Sequence, residues 1–90
     1  MANGDTVQSA SRAIQILKAV VNAEQSDRWV RLADMAAATD LNKGTVHRFL
    51  KSLESEGWID RNPAKRRYRI GPELIALAVG GFAWTGISMA

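Results

Sequence analysis

The 90-residue chain contains no cysteine and a single histidine, His47. Without cysteine it has no disulfide, no thiol nucleophile and no thiolate ligand for zinc. A lone histidine without neighbouring ligands or acid–base partners predicts neither a metal site nor a catalytic site. The sequence also lacks clustered acids, a nucleophile paired with a base, and a glycine-rich phosphate loop. We therefore predict that the chain is not an enzyme, and we expect no cofactor and no metal.

Charge is absent from the C-terminal part of the chain, where residues 74–90 form an uncharged run of 17 residues. This run is near the lower length limit of a transmembrane helix and three glycines interrupt it, so we predict no membrane span. The interpretation that we prefer is a linker helix from Glu73 to about Val79, whose apolar face packs on a partner subunit. The first twelve residues lack the basic and apolar regions of a secretory signal, and we expect a cytoplasmic protein.

The basic residues are concentrated in one segment. The whole chain has a net charge of +3, whereas residues 43–69 contain eight basic and three acidic residues, a net charge of +5. The rest of the chain therefore sums to −2. Such a run can be a solvated surface, but charge clustered on one part of a small domain is also typical of a protein that binds a polyanion.

Apolar residues spaced by three and four positions predict three amphipathic helices. The first begins at Ser9 or Ser11, either of which can cap it. The second runs from about Leu32 to Thr39, and a short turn separates it from the third. Asn42 is the predicted N-cap of the third helix, which ends before Gly57. The predicted inner face of the first helix consists of Ala10, Ala13, Ile14, Leu17, Val20 and Val21.

A β-hairpin is predicted after the third helix. Its strands are Trp58–Arg61 and Arg67–Ile70, and the residues between them include Asn-Pro, which is typical of a turn. Alternation in the second strand packs Tyr68 on the domain and turns Arg67 and Arg69 to the exposed face. The hairpin therefore presents a basic surface to solvent.

The predicted fold is mainly α with a small β-wing, a winged helix-turn-helix. Its order is helix, a candidate very short strand at residues 29–31, helix, tight turn, helix and two-stranded hairpin, and Pro72 suits the first turn of a C-terminal linker helix. Two helices joined by a short turn, the second exposing basic and hydroxyl residues, are typical of domains that bind double-stranded DNA. We predict a recognition helix over residues 43–56 in the major groove, and a wing over residues 61–69 on the backbone or minor groove.

One face of the third helix is predicted to pack against the core, and the other face is predicted to contact DNA. Val46, Leu50 and Leu53 are predicted to point inward. Thr45 and Arg48 are the predicted base-reading residues, because a hydroxyl or methyl group and a guanidinium can each recognise base edges, whereas the lysines suit phosphates. The full set of predicted DNA-binding residues is Lys43, Gly44, Thr45, His47, Arg48, Lys51 and Ser52 on the helix and Lys65, Arg66 and Arg67 on the wing.

A family resemblance extends over most of these residues. The run VRLADMAAATDLNKGTVHRFLKSLESEGWIDRNPAKRRYRIGPELIALA resembles the N-terminal DNA-binding domain of IclR-type (isocitrate lyase regulator type) transcription factors, and SRAIQILKAV is similar to the first helix of that family. The likeness covers about residues 9–79. It implies a bacterial transcriptional regulator that forms a homodimer on a palindromic operator, with Thr45 and Arg48 in the recognition helix and the wing on flanking DNA.

The resemblance also implies a domain organisation. We expect a disordered N-terminus over residues 1–8, the winged domain over residues 9–71, and over residues 72–90 a linker helix and the start of an effector domain absent from this fragment. A small-molecule effector would bind only through that domain, and the homodimer would form through the first helix and the linker helix. Three positions depart from the family: Asp40 stands where glycine is usual, and Asn42 and Gly44 where proline and serine are frequent.

Alternatives to these interpretations remain at this point. The basic surface can dock an acidic protein, which would make the domain a winged-helix interaction module. Trp29 and Trp58 can stack on single-stranded bases, although we expect them to anchor the core at the two sheet edges. His47 is either a DNA contact or a passive surface residue, and Arg48 can contact phosphate alone.

Overall fold

Helices and short strands alternate along the chain. The computed structural model describes residues 2–24, 29–64 and 66–85, with side-chain exposure for residues 8–23, 29–64 and 66–81. In this part of the chain, four helices and a three-stranded antiparallel sheet confirm the predicted winged helix-turn-helix. The elements are α1 (Ala2–Glu24), β1 (Val30–Arg31), α2 (Leu32–Thr39), α3 (Lys43–Ser55), β2 (Ile59–Asn62), β3 (Arg67–Ile70) and α4 (Pro72–Thr85).

Helix α1 is longer than we predicted. It begins at Ala2, so Ser9 and Ser11, the predicted start positions, lie inside it. Residues 2–8 continue the helix where the sequence predicted a frayed segment. The physical reason is that adding a turn to an existing helix gains one hydrogen bond per residue and needs no new nucleus, so polar residues can extend a helix that is anchored further along the chain.

The core-facing side of α1 also differs from the prediction. Ile16 and Val20 are fully buried, whereas Ile14 and Val21, which we placed on the inner face, are 51% and 44% exposed. The predicted face with Ile14 and the observed face with Ile16 both follow the helical spacing, and both contain Val20. Periodicity alone therefore does not choose between them, and the positions of the other helices decide.

The tight turn between α2 and α3 contains a residue in the left-handed backbone region. Asp40 follows Thr39 with φ of 58° and ψ of 31°. The amide of Leu41 donates to the carbonyl of Ala36 at 3.3 Å, which is the hydrogen bond of a Schellman-type helix end. Leu41 packs against the core. Glycine has no Cβ and adopts the left-handed conformation without a steric cost, which explains why glycine would suit position 40.

Helix α3 is capped at both ends. The side-chain oxygen of Asn42 accepts a hydrogen bond from the amide of Thr45 at 2.8 Å, which confirms the predicted N-cap. At the other end Gly57 has φ of +79°. The amide of Trp58 then donates to the carbonyl of Leu53 at 2.9 Å, a second Schellman-type end. Local hydrogen bonds therefore define where α3 starts and stops.

The predicted wing hairpin is present as β2 and β3, and the candidate short strand at residues 29–31 adds β1 to make a three-stranded sheet. Strand β1 pairs with β3, and the strand order is β1-β3-β2. Strand β2 begins at Ile59, one residue later than predicted, because the amide of Trp58 is used at the end of α3. Tyr68 in the central strand is buried, as predicted from the alternation.

The two tryptophans do not anchor the core as we predicted. Trp29 and Trp58 are half-buried, and neither belongs to the buried cluster. Each precedes an inward-pointing residue, Val30 or Ile59, so alternation along the strand turns the tryptophan away from the core. Trp29 instead packs under the guanidinium of Arg69, which lies 4.2 Å from the ring centroid.

The core lies between the first three helices and the inner face of the sheet. No charged side chain is buried among the residues whose exposure is described. Each buried aliphatic side chain contributes about 1.5–3 kcal/mol relative to an exposed one, so this small cluster supplies most of the packing energy. Its members are Ile16, Val20, Val30, Met35, Val46, Leu50, Ile59 and Tyr68.

Helix α4 begins at Pro72, as predicted, and its first turn is bound to the end of α3. The amide of Gly71 donates to the carbonyl of Trp58 at 2.7 Å, and the amide of Glu73 donates to the carbonyl of Gly57 at 3.0 Å. Gly71 is buried, and a Cβ there would meet the Gly57 carbonyl oxygen and lie 2.9 Å from the Trp58 carbonyl carbon. Glycine is therefore needed for this close backbone approach.

The far end of α4 lies at Thr85, beyond Val79, where we predicted the linker helix to end. Gly80 and Gly81 do not interrupt it, because a glycine costs a helix about 1 kcal/mol and the flanking residues are helix-compatible. Within the described residues, none of the helices has both the length and the hydrophobicity needed to cross a membrane.

Replacing Asp40 with glycine should stabilise the domain by about 0.5–1 kcal/mol, because glycine adopts the left-handed conformation without the steric cost of a Cβ. Asp40→Ala removes the same charge but keeps the Cβ, and should be neutral or destabilising. Urea unfolding followed by circular dichroism measures both changes. An Asp40→Ala variant stabilised as much as Asp40→Gly would show that the loss of charge, and not backbone conformation, controls this turn.

Candidate nucleic-acid interface

One side of α3 is free of the core and contains the residues predicted to bind DNA. Val46 and Leu50 are fully buried, and Phe49 and Leu53 are half-buried on the core side. Residues three and four positions apart are neighbours on a helix, so the remaining residues form a surface along its length. The exposed members are Lys43, Gly44, His47, Arg48, Lys51 and Ser52, and Thr45 is half-buried.

The N-terminus of α3 adds backbone donors to these side chains. The amide of Val46 donates to the carbonyl of Asn42 at 3.1 Å, and the amide of Thr45 is bonded to the Asn42 side chain. The amides of Lys43 and Gly44 precede these bonds and point out of the helix end. Together with the positive end of the helix dipole, they suit contact with a phosphate.

Gly44 is not required by packing within the domain. A Cβ at this position would meet only the side-chain oxygen of Asn42, at 3.4 Å, which is close to ordinary van der Waals contact. The helix itself would therefore accept alanine. The remaining physical advantage of glycine here is that it lets another molecule approach the backbone closely.

The tip of the wing is a turn closed by Asn62. The carbonyl of Asn62 accepts a hydrogen bond from the amide of Arg66 at 2.8 Å, and its side-chain oxygen accepts one from the amide of Ala64 at 3.1 Å. Arg66 is exposed and has φ of 52°, in the left-handed region that disfavours residues with a Cβ. Lys65, which we predicted to bind DNA beside it, lies outside the described residues.

Arg67 lies on the outer face of the sheet, away from α3. It is half-buried and stands opposite Arg31 in the strand register. Arg69 shares this outer face and is exposed, as predicted, but lies opposite Asp60 and stacks on the ring of Trp29. The structure therefore does not bring Arg67 together with the residues predicted on α3.

Arg61 belongs to the surface beside α3, although we placed it only within the predicted wing and did not name it among the DNA-binding residues. It lies opposite Tyr68 in the register, which places it on the inner face of the sheet. Its exposed side chain lines a cleft together with His47 and Arg66. The sequence contained a pattern that indicates this position of Arg61. Ile59 points inward, and strict alternation along the strand puts Arg61 on the same face.

The arrangement suits binding by charge and shape. In the described parts of the chain, no group of three or more histidine, cysteine, aspartate or glutamate residues is placed to hold a metal ion. An open, shallow hollow lies beside the recognition surface and is lined by Arg48, Phe49 and Ser52. A basic helix beside an open surface can enter a nucleic-acid groove while the neighbouring surface lies against the sugar–phosphate backbone.

This geometry defines the class of the protein. Helices packed around a small core, a tight turn before an exposed basic helix, and a wing formed by an antiparallel sheet together make a winged helix-turn-helix, a class of DNA-binding domain. The sequence profile of the IclR helix-turn-helix domain matches residues 9–63. The chain belongs to the IclR helix-turn-helix domain family, which confirms the resemblance seen in the sequence.

Relatives and a solved structure agree with this family. The chain is 41% identical over 71 residues to the glycerol operon regulatory protein of Streptomyces griseus, covering 79% of this chain and 27% of the relative. It is 36% identical over 69 residues to the HTH-type transcriptional regulator XynR of Escherichia coli K12, covering 77% and 26%. The crystal structure of an IclR transcriptional regulator from Alicyclobacillus acidocaldarius matches with a TM-score of 0.71 and 34% identity, covering 84% of this chain and 29% of that one.

The chain spans about a quarter of the length of the curated relatives that it matches. Both relatives are named as regulators, which agrees with the prediction that the chain is not an enzyme.

Gly44→Ala should raise the stability of the domain by about 0.5–1 kcal/mol, because alanine is the better helix former and space for its methyl group exists. The same change should lower the affinity for duplex DNA, since the methyl group holds the backbone away from the groove. Thermal unfolding and fluorescence anisotropy with a labelled duplex measure the two effects. Ser55→Ala, near the other end of the exposed surface, is the control and should leave affinity unchanged. An undiminished affinity for Gly44→Ala would show that DNA does not approach this residue closely.

Proposed function

We propose that this domain binds duplex DNA in a sequence-specific manner, as part of a bacterial regulator of transcription that acts in the cytoplasm. The observation that supports the proposal is the continuous exposed surface of α3, with its basic and hydroxyl side chains, beside a basic wing. Helix α3 has 13 residues, which corresponds to about 20 Å of helix. A helix of this size fits the major groove of B-form DNA.

Two residues of α3 are proposed to read bases. Arg48 is exposed and can donate two parallel hydrogen bonds to the O6 and N7 atoms of guanine. Thr45 is half-buried near the N-terminus of the helix, where side chains of recognition helices contact base edges, and offers a hydroxyl or a methyl group. Arg48 is one turn further along the same side of the helix, so the two side chains can reach neighbouring base pairs.

The other basic residues are proposed to hold the DNA backbone. Lys43 and Lys51 are exposed at the start and in the middle of α3, where ammonium groups can neutralise phosphates without reading sequence. On the wing, Lys65, Arg66 and Arg67 are proposed to contact the backbone or the adjacent minor groove. Such contacts release counterions and make the affinity depend steeply on salt.

Arg48→Ala should reduce discrimination between a preferred duplex and one altered at a single base pair by about 1–3 kcal/mol, because the bidentate contact to guanine is lost. Lys51→Ala is the matched control on the same helix and should weaken all duplexes about equally. The preferred duplex is first selected from a random-sequence pool, and anisotropy titrations then compare the variants. Full retention of sequence preference by Arg48→Ala would show that another residue reads the base.

The domain is further proposed to act as a homodimer on a palindromic operator. Helix α4 is apolar on opposite sides, with Ile75 and Val79 exposed by 55% and 61% on one side and Leu77 by 58% on the other. A helix that is apolar all round is normally covered by other protein surface. Ile14 and Val21 add exposed apolar surface on α1. A second copy of the chain can cover these residues, and two copies would then read half-sites spaced by about one helical turn or a multiple.

Ile75→Asp should shift the protein from dimer towards monomer, because a carboxylate at a buried apolar contact costs several kcal/mol. Sedimentation equilibrium measures the mass, and the variant should also bind the selected duplex more weakly because the two recognition helices are no longer linked. Ala37→Asp places the same charge at an exposed position of α2 and should leave the mass unchanged. An unaltered dimer in the Ile75→Asp variant would contradict the proposed role of α4.

A further inference from the structure

A cleft lies between the recognition helix and the wing. It is lined by His47 on α3, Arg61 on β2, Arg66 at the wing tip, and by Leu32 and Tyr68, and it has a volume of about 360 Å³. The side chains of His47, Arg61 and Arg66 are all exposed, whereas Tyr68 is buried and Leu32 is half-buried. The cleft therefore has polar, basic walls and a largely apolar floor.

We infer that Arg61, together with His47 and Arg66, forms a clamp that holds a single backbone phosphate between the recognition helix and the wing. This inference rests on the proposed function and adds to it a residue, Arg61, and a specific arrangement of donors.

The charge of the cleft favours an anion. None of the described residues that line it has a carboxylate, so no acidic group within this lining neutralises the two arginines. The contrast with the outer face of the sheet is clear, since Arg69 there faces Asp60 and Trp29, and Arg31 forms an ion pair with Asp34 at 3.7 Å. An apolar floor strengthens the attraction, because charges beside a region of low polarity are less screened than charges in open water.

The position of the cleft favours a backbone phosphate over a base. His47 and Arg48 are consecutive on α3, so their side chains diverge by about 100° around the helix axis. With Arg48 directed into the groove, His47 faces the flank of the helix on the side of the wing. The sugar–phosphate backbone runs along the flanks of a helix that lies in the major groove. A phosphate can therefore enter the cleft while α3 reads the bases.

Arg61 is the central residue because the sheet register directs it into the cleft. It lies opposite Tyr68, whose ring is part of the core, and directly opposite residues in a strand pair point to the same face. A guanidinium on a rigid strand presents two parallel donors to phosphate oxygens and needs little reordering when it binds. Arg66 approaches from the wing tip, where the Asn62 carbonyl holds its backbone in the left-handed conformation.

The first test replaces Arg61 by glutamine, which keeps the length of the side chain and removes its charge. Affinity of the 90-residue chain for a labelled duplex from the selected pool is measured by anisotropy at several salt concentrations. We expect on the order of a 10-fold loss of affinity, as for a lost charge-assisted hydrogen bond, and a salt slope that is smaller by about 0.9. Arg69→Gln, the same change on the opposite face of the sheet, is the matched control and should retain the wild-type slope.

The second test identifies the phosphate. Single phosphates of the selected duplex are replaced by neutral methylphosphonates, one position at a time. At one position the replacement should weaken the wild-type chain, but it should cause no further loss in Arg61→Gln, and it should still weaken Arg69→Gln. Losses that are additive at every position would overturn the clamp.

The outcomes separate the clamp from the proposed function. If the wild-type chain binds duplex DNA with sequence preference but Arg61→Gln has the wild-type affinity and salt slope, the clamp is wrong and the proposed function stands. If the wild-type chain does not bind duplex DNA even at low salt, the proposed function is wrong and the clamp fails with it. Circular dichroism of Arg61→Gln verifies that its fold is retained, since Arg61 is exposed and takes no part in the core.

Discussion

The packing of one side of α3 against the core is the constraint on which the rest of the structure depends. Val46 and Leu50 are fully buried in the core cluster that also contains Met35, so they determine which side of the helix remains outside. Because a helix has a fixed rotation per residue, burying these two side chains automatically exposes Arg48 on another side. The recognition surface is therefore a consequence of the hydrophobic core, and a change in the rotation of α3 would move every DNA contact proposed on this helix together.

The end of α3 is joined by backbone hydrogen bonds to the start of α4. Gly57 and Trp58 accept bonds from Glu73 and Gly71, and the close approach at Gly71 leaves no room for a side chain. Bonds between backbone atoms at such short range restrict relative movement more than contacts between flexible side chains do. A partner that covers α4 would therefore also fix the orientation of α3, which connects the proposed dimer contact to the spacing of the two recognition helices.

The strand register divides the basic residues of the wing into two groups with different surroundings. Arg61 lies on the face of Tyr68 and opens towards α3, whereas Arg67 and Arg69 lie on the outer face with Arg31 opposite and Asp60 nearby. The net charge of the segment does not reveal this division, because charge counts ignore the side of the sheet. In the proposed DNA complex, the arginines beside α3 are expected to contribute most, since phosphates strongly attract those cations that lie within hydrogen-bonding distance.

Features that depend on a few neighbouring residues could be predicted from the amino-acid sequence alone. Asn42 specified the start of α3, Gly57 its end and Pro72 the start of α4, because caps and turns are made by hydrogen bonds and backbone preferences within one turn of chain. The inward positions of Val46, Leu50 and Tyr68 followed from periodicity for the same reason. The family and its DNA-binding class were also recognisable at this level.

Packing between helices and strands that are distant in the chain fixes the remaining features. It selected Ile16 in place of Ile14 for the core, because two helical stripes of α1 were equally apolar and the neighbouring elements chose between them. It added β1 to the sheet beside β3, a pairing across more than thirty residues that no local pattern specifies. It also brought Arg61 next to His47, because strand register and helix packing together, and not the spacing of residues along the chain, place those two side chains in one cleft.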